Sequence, residues 1–316
     1  MPTVKKPQIT VLMPVYNGGS ALEKTITSVL RQTFRDFEFI IIDDGSTDGT
    51  ARLLGHFARK EKRIRILTNR PNQGIVRSLN AGLKAARGRL IARIDCGDIC
   101  SSDRLKAQRE YFRQNPKCVL LGSQIDRMDR SGRVVGRTHL PENDREIRKA
   151  LFDKKTVITH PSAMYRKFSD LYYRENAYPA EDYDYWLRIL DKGECANLAE
   201  SLVKLVNDPA SISHKNVVKQ LVITSKIRAL LVERLKYGSE RSSLPDLRKA
   251  HNLRWDWVTW LYGYKIEKNY YKFHPMNFVL NGVMGLLVPS TFTRKTFLNN
   301  LGEYIHRKEF ILFTEK

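Results

Sequence analysis

The sequence predicts an α/β fold, a Rossmann-like and mostly parallel sheet with helices on both faces, followed by a basic helical extension. Three observations carry this. From Ile9 to Asn115, short runs rich in Val, Ile and Phe alternate with amphipathic stretches of helical length. Several of these apolar runs end in turns rich in Asp, Gly and Ser, as in a sheet whose loops gather at one edge. From Lys204 to Lys316 the chain carries 19 basic against 9 acidic residues, and its pattern is predominantly helical.

Taken in order, Ile9–Val15 reads as a buried strand, and Ala21–Arg31 as a helix with Leu22, Ile26, Val29 and Leu30 on one face. Phe37–Asp43 is a second strand, stopped by Asp-Asp-Gly-Ser, and a helix from Thr47 to Lys60 follows, with Ser46 or Thr47 able to cap it. Ile64–Thr68 is a strand, Asn69–Gly74 a loop, Ile75–Ala86 a helix and Leu90–Ile94 a strand. A helix over 104–115 precedes two strands, Val119–Asp126 and Val134–His139, whose connecting turn at Asp129–Gly132 implies an antiparallel addition to the sheet. Helices over 144–152 and 182–192 and a short strand over 162–165 complete the compact region, expected over 1–208 with a boundary at Asp208-Pro209. The second region, 209–316, opens with an amphipathic helix over 217–235. Phe273–Thr293 contains no Asp, Glu, Lys or Arg, but Pro275, Pro289, Asn277, Asn281, Gly282 and Gly285 disfavour a spanning helix. It reads either as a segment lying in a membrane interface or as a buried core helix.

Hydrophobic content of 42% and charged content of 28% belong to a globular chain. The formal charge of +21 calls for an anionic partner: nucleic acid, anionic lipid or a phosphorylated substrate. Nucleic acid is set aside, because Trp255, Trp257, Trp260, Tyr262 and Tyr264 lie among apolar neighbours, as in a packed or interfacial helix. Four cysteines without CxxC spacing, and no signal-peptide pattern at the start, are expected to be reduced thiols in the cytoplasm; no local partners complete a zinc site at Cys96 and Cys100.

Three strand-end loops carry chemistry: Pro14-Val-Tyr-Asn17, Asp43-Asp-Gly-Ser-Thr-Asp-Gly-Thr50 and Asp95-Cys-Gly-Asp98. Acids at such places suit base and ribose hydrogen bonding, or a divalent cation that neutralises a diphosphate. Each also has a structural reading, as turn, cap or surface aromatic, and it is their joint occurrence in one sheet that favours function.

With those loops in view, Ile9–Asn17 and Leu30–Thr50 resemble the start of family 2 inverting glycosyltransferases of the GT-A fold, of the kind that builds bacterial cell-envelope polysaccharides. Asn72-Gln-Gly74, Asn80, Gly88, Arg93-Ile-Asp95 through Asp103-Arg-Leu105, His160-Pro-Ser162 and Glu181-Asp-Tyr-Asp-Tyr-Trp186 are similar to later motifs of that family, so the likeness covers about 7 to 206. The resemblance implies a nucleotide-sugar donor, UDP-sugar first, and a glycan or lipid-linked acceptor. It implies that Pro14 and Tyr16 line the base pocket, Asp44 bonds the base, Asp43 supports that loop, Arg77 lies near the diphosphate and Asp95 contacts the ribose or sugar end. It implies Asp182 as general base, with Glu181, Trp186 and His160 on the acceptor side. The family's metal-binding acid is replaced by Gly97, so a Mn or Mg cation would fall to Asp98 and Asp95. Peripheral attachment to the inner face of an anionic membrane through the basic tail is expected. The alternative is a non-catalytic GT-A-fold scaffold with a degenerate metal loop.

Overall fold

All seven residues of strand β1 (Ile9–Val15) are buried, because parallel strands flank it on both sides: β2 (Phe37–Asp43) along its whole length and β4 (Leu90–Arg93) beside Ile9–Leu12. Pro14 is tolerated in this central strand since the β4 ladder has ended at Leu12, leaving no partner there for an N–H that proline lacks. The computed structural model describes residues 6–129, 131–153, 157–206 and 216–244. The boundary at 208–209, the apolar stretch 273–293 and the tail aromatics lie outside the described residues.

The strands run β3-β2-β1-β4-β8-β6-β9-β5, with β7 paired to β6. Here β3 is Ile64–Thr68, β5 Ile99–Cys100, β6 Cys118–Met128, β7 Val134–Arg137, β8 Met164–Arg166 and β9 Glu194–Val206. The first four in this order are parallel, as expected, and β6–β7 is the expected antiparallel hairpin. Because β8 is antiparallel to both β4 and β6, strand β6 runs in the direction of β1, β2 and β4. The loops after β1 to β4 and the end of β6 therefore share one edge.

Period-2 alternation sorts the side chains onto two faces. Ile9, Val11, Met13 and Val15 pack with Phe39 and Ile41 beneath α1 (Ala21–Leu30), α2 (Thr50–Lys60) and α4 (Arg104–Gln114). Leu12, Ile40, Ile42 and Ile91 face the other way, into a core shared with α3 (Ile75–Ala85), α5 (Asp144–Phe152), α6 (Glu181–Ile189) and α7 (Val217–Tyr237). Helix α7 adds Val222, Ile223, Ile227, Leu230 and Leu231 to this core.

Three features depart from the sequence reading. Strand β9 has no counterpart in the sequence reading: Glu194-Cys-Ala-Asn-Leu-Ala-Glu-Ser lacks alternation, and its register against β6 shifts three times. Strand β5 spans only two residues, too few to show a period. Helix α2 begins at Thr50, not Thr47, and has no side-chain cap, because Ser46 and Thr47 bond Asn17 instead.

Two glycines mark close approaches. A Cβ on Gly82 would lie 2.1 Å from Leu12 Cδ1, so α3 rests on β1 there, and a Cβ on Gly88 would lie 2.5 Å from Thr10 N and 2.6 Å from Ile9 C. The second contact is with backbone, which cannot rotate away. Gly88→Ala is therefore expected to lower stability by about 1–3 kcal/mol, measured as a fall in the urea midpoint at unchanged denaturant slope; an unchanged midpoint would contradict the packing described.

Candidate active site

At the strand-end edge the first two loops are zipped together. Asn17 takes φ 51, and its N–H donates to Ser46 Oγ while its Oδ1 accepts from Thr47 N–H. Gly18 N–H donates to Thr50 Oγ1, and Gly19 N–H to Asp48. Asp43 accepts from Ser46 N–H and holds the turn. The carboxylate of Asp44 accepts from Asn69 Nδ2 at 2.8 Å, Gln73 N at 3.0 Å and Gly74 N at 2.8 Å, so it ties the loop after β3 to that after β2. Only about one of its lone pairs is left for a ligand. Pro14 is buried within β1, whereas Tyr16 stands 53% exposed at its end. Arg77, on α3, is exposed and its Nε bonds Glu175 Oε2 at 3.0 Å.

Strand β4 ends at Arg93, just before the acid loop, and the sequence reading assigned this residue no role. By alternation it shares a face with Ile91 and points into the helical layer, where it is 2% exposed. It forms an ion pair with Asp95, whose side chain is 40% exposed. The signal was present in the sequence: a cation at the end of an otherwise apolar strand, two residues ahead of an acid. Asp98 is buried, accepts from Val206 N–H, and its carboxyl is pushed well above the usual carboxylate range by burial and by Asp95, with Arg93 and Arg104 opposing. Gly97 takes φ 107 and donates its N–H to Thr25 Oγ1. A side chain there would meet nothing within 4 Å, but an L residue seldom adopts that backbone.

Residues of the other motifs hold this loop in place. Arg104, 1% exposed, donates to the carbonyls of Arg93 at 2.7 Å and Ala163 at 3.3 Å, and Gln108 donates to Ser162 O. Gln32 binds Ser101 O and Leu105 N–H, clamping α1 to the start of α4. Asn80 brackets Tyr173 with two bonds, fixing the aromatic cluster to α3.

That cluster lies beside the first turn of α6. His160 Nε2 meets Tyr173 Oη at 3.1 Å, Tyr173 meets Tyr165 Oη at 3.0 Å, and the His160 ring stands edge-on to Trp186 with centroids 5.6 Å apart. Burial, and then Arg93, hold the His160 imidazole well below its ordinary value, so it is neutral. Glu181 is buried and its carboxyl is pushed up to about 8 by burial and by Asp182. Asp182 is partly exposed, accepts from Tyr183 N–H, and is raised by burial, with Arg93 opposing. Asp95 also acts on both α6 acids. The structure thus brings Asp95, Asp98, Glu181, Asp182 and His160 around Arg93, with Trp186 against His160. Three buried polar atoms here, Arg93 Nε, Glu181 Oε2 and Trp186 Nε1, have no hydrogen-bond partner among the described residues. Native structures satisfy such atoms with water or a ligand.

Among the described residues no group of three or more His, Cys, Asp or Glu is gathered to hold a metal. Asp95 is the accessible carboxylate of the loop, and Asp98 is turned to β9. This donor set does not suit a cation caged by protein alone. It does suit magnesium or manganese held by one carboxylate, waters and substrate phosphates. No helix among the described residues is long and apolar enough to cross a membrane.

Residues 10–172 match the Glycosyl transferase family 2 profile. A Methanocaldococcus jannaschii protein named an uncharacterized glycosyltransferase is 34% identical over 58% of this chain and 65% of its own length, so the chain spans just under two thirds of that relative. The O-antigen biosynthesis glycosyltransferase WbnJ of Escherichia coli is 32% identical over 60% of this chain and 74% of its own. The crystal structure of S. aureus TarS 1–349 in complex with UDP-GlcNAc superposes with a TM-score of 0.59 at 19% identity, covering 77% of this chain and 69% of that one. The sheet and its flanking helices thus have the architecture of that structure, the GT-A fold.

The raised carboxyl of Glu181 makes stability depend on pH. Between its ordinary value near 4.5 and about 8, the folded state holds a proton that the unfolded state has released, so folding weakens as pH rises through that window. Glu181→Gln is expected to flatten this decline, the variant melting higher than wild type above pH 8 and losing that advantage near pH 4.5. Melting curves across pH 4–9 check it, and parallel curves would show that Glu181 is not held protonated.

Proposed function

The chain belongs to glycosyl transferase family 2, and from that premise we propose that it is an inverting enzyme moving a sugar from a nucleoside-diphosphate donor, UDP-sugar first, to a hydroxyl of a glycan or lipid-linked acceptor. The setting is envelope polysaccharide synthesis at the inner face of the membrane, with the chain attached peripherally to an anionic lipid surface. The observation that carries the reading is the convergence of two acid sets, distant in sequence, on one edge: Asp95 after β4 and Asp182 on α6, both acting on Arg93. Three buried polar atoms beside them, without hydrogen-bond partners among the described residues, support a polar ligand. The O-antigen role in the name of WbnJ and the UDP-GlcNAc bound to TarS support the acceptor and donor classes.

In this reading Asp182 is the general base. A sugar hydroxyl is a poor nucleophile at neutral pH; as its oxygen bonds the anomeric carbon, Asp182 takes its proton and the bond from that carbon to the diphosphate oxygen breaks. A single displacement from the opposite side inverts the anomeric centre. Raising of the Asp182 carboxyl by burial makes it a stronger base than a surface aspartate. Neighbouring Glu181, protonated below about 8, adds no second negative charge there. His160 and Trp186 shape the acceptor side. The nucleotide would lie along Tyr16 and the zipped loops, where Asp43 and Asp44 hold the floor, with Pro14 behind it and Arg77 towards the diphosphate. Asp95 would hold a Mn or Mg ion, with Asp98 behind it; a cation there neutralises charge growing on the departing diphosphate.

Gly97 favours a second reading, a binding protein that keeps the fold without turnover, and one experiment separates the two. Asp182→Asn is expected to lower transfer, in a screen of nucleotide sugars and acceptors, by about 10²- to 10⁴-fold, while UDP affinity measured by calorimetry with Mn²⁺ stays within about twofold of wild type. Turnover near wild type would remove Asp182 from the role of base. UDP binding without turnover of any donor by the wild type would favour the binding protein.

A further inference from the structure

The β6–β7 hairpin leaves the body at the edge that carries the candidate site, since β6 runs in the direction of β4. Every residue from Ser131 to Arg137 is exposed, and Val134 and Val135 are 46% and 55% exposed. Consecutive strand residues point to opposite faces. Exposure of both valines therefore means that neither face of β7 is covered, and its only strand partner among the described residues is β6. Around the valines stand exposed Arg127, Arg133 and Arg137, with Lys204 of β9 opposite Asp126. Arg133 and Arg137 reach back to Asp129 at 3.4 Å and Asp126 at 2.8 Å, which keeps their heads at the flanks of the valine pair.

Two occupants could cover such an arm, and charge decides between them. A second copy adding its own β7 antiparallel, centred on Val135, would set Arg133 of each copy directly opposite Arg137 of the other, and like charges in that position are destabilising. An anionic bilayer meets both features at once: the valines enter the apolar boundary and the guanidinium groups face lipid phosphates. We propose that the β6–β7 hairpin is a docking arm for an anionic lipid bilayer, and that it turns the acid-bearing edge of the sheet towards the membrane. The inference rests on the peripheral attachment proposed above and deepens it, naming a surface in the folded domain apart from the basic tail. A lipid-linked acceptor would then reach Asp182 from the bilayer side.

The test uses the full chain and vesicles of phosphatidylcholine with and without phosphatidylglycerol. Wild type is expected to bind only the anionic vesicles, and a Val134→Ser/Val135→Ser variant to bind them about ten-fold more weakly with an unchanged melting temperature. Equal binding by the variant would overturn the hairpin while leaving membrane attachment to another surface. Absence of wild-type binding to either vesicle would overturn the attachment and the hairpin together. Loss of self-association in the variant, without any change in vesicle binding, would assign the arm to a second copy.

Discussion

One buried cation sets the arrangement on which the rest of the site depends. Arg93 ends β4 inside the helical layer, and a guanidinium there is stable only with negative charge close by. Asp95 supplies the ion pair and Asp182 a further carboxylate at longer range, while Arg93 in turn opposes the rise of the Asp98 and Glu181 carboxyls. The dependence is mutual. Burial raises the Asp98, Glu181 and Asp182 carboxyls, Asp95 adds to the rise, and Arg93 opposes it in each. Neither set would be stable in this form alone.

The rest of the fold delivers these groups to one place. Parallel pairing of β1, β2 and β4 puts their loops on a common edge, and the reversal through β8 brings the His160 turn against the end of β4. Arg104 and Gln108 then bind the carbonyls of Arg93, Ala163 and Ser162, tying the start of the acid loop to the His160 turn. Motif residues that look catalytic on paper thus divide into two kinds. Asp43, Asp44, Gln32, Asn80 and Arg104 are spent largely on holding loops together, whereas Asp95 and Asp182 keep exposed surface.

The first half of the sheet was legible because its central strands are buried on both faces and read as mainly apolar runs, as Ile9–Val15 does. Strand β9 was not legible, because three register shifts against β6 erase the alternation by which a strand is recognised. Ser46 and Thr47 resembled a helix cap because the same side-chain oxygens serve loops equally well, and only the position of Asn17 decides between the two. Among site residues, the acids announced themselves by type and spacing. Arg93 did not, since an arginine in a strand is ordinary until alternation shows which way it faces. His160, which the resemblance puts on the acceptor side, bonds Tyr173 and carries a neutral imidazole within the aromatic cluster.

Arg93 and Asp95 form one energetic unit, and a double-mutant cycle with Arg93→Met and Asp95→Asn, read by urea unfolding, measures their coupling without any substrate. Asp95→Asn alone leaves a buried guanidinium without its nearest counter-charge and is expected to cost about 3 kcal/mol. In the Arg93→Met background the same substitution is expected to cost nothing or to stabilise, because the charge it served is gone. Equal costs in the two backgrounds would contradict the account.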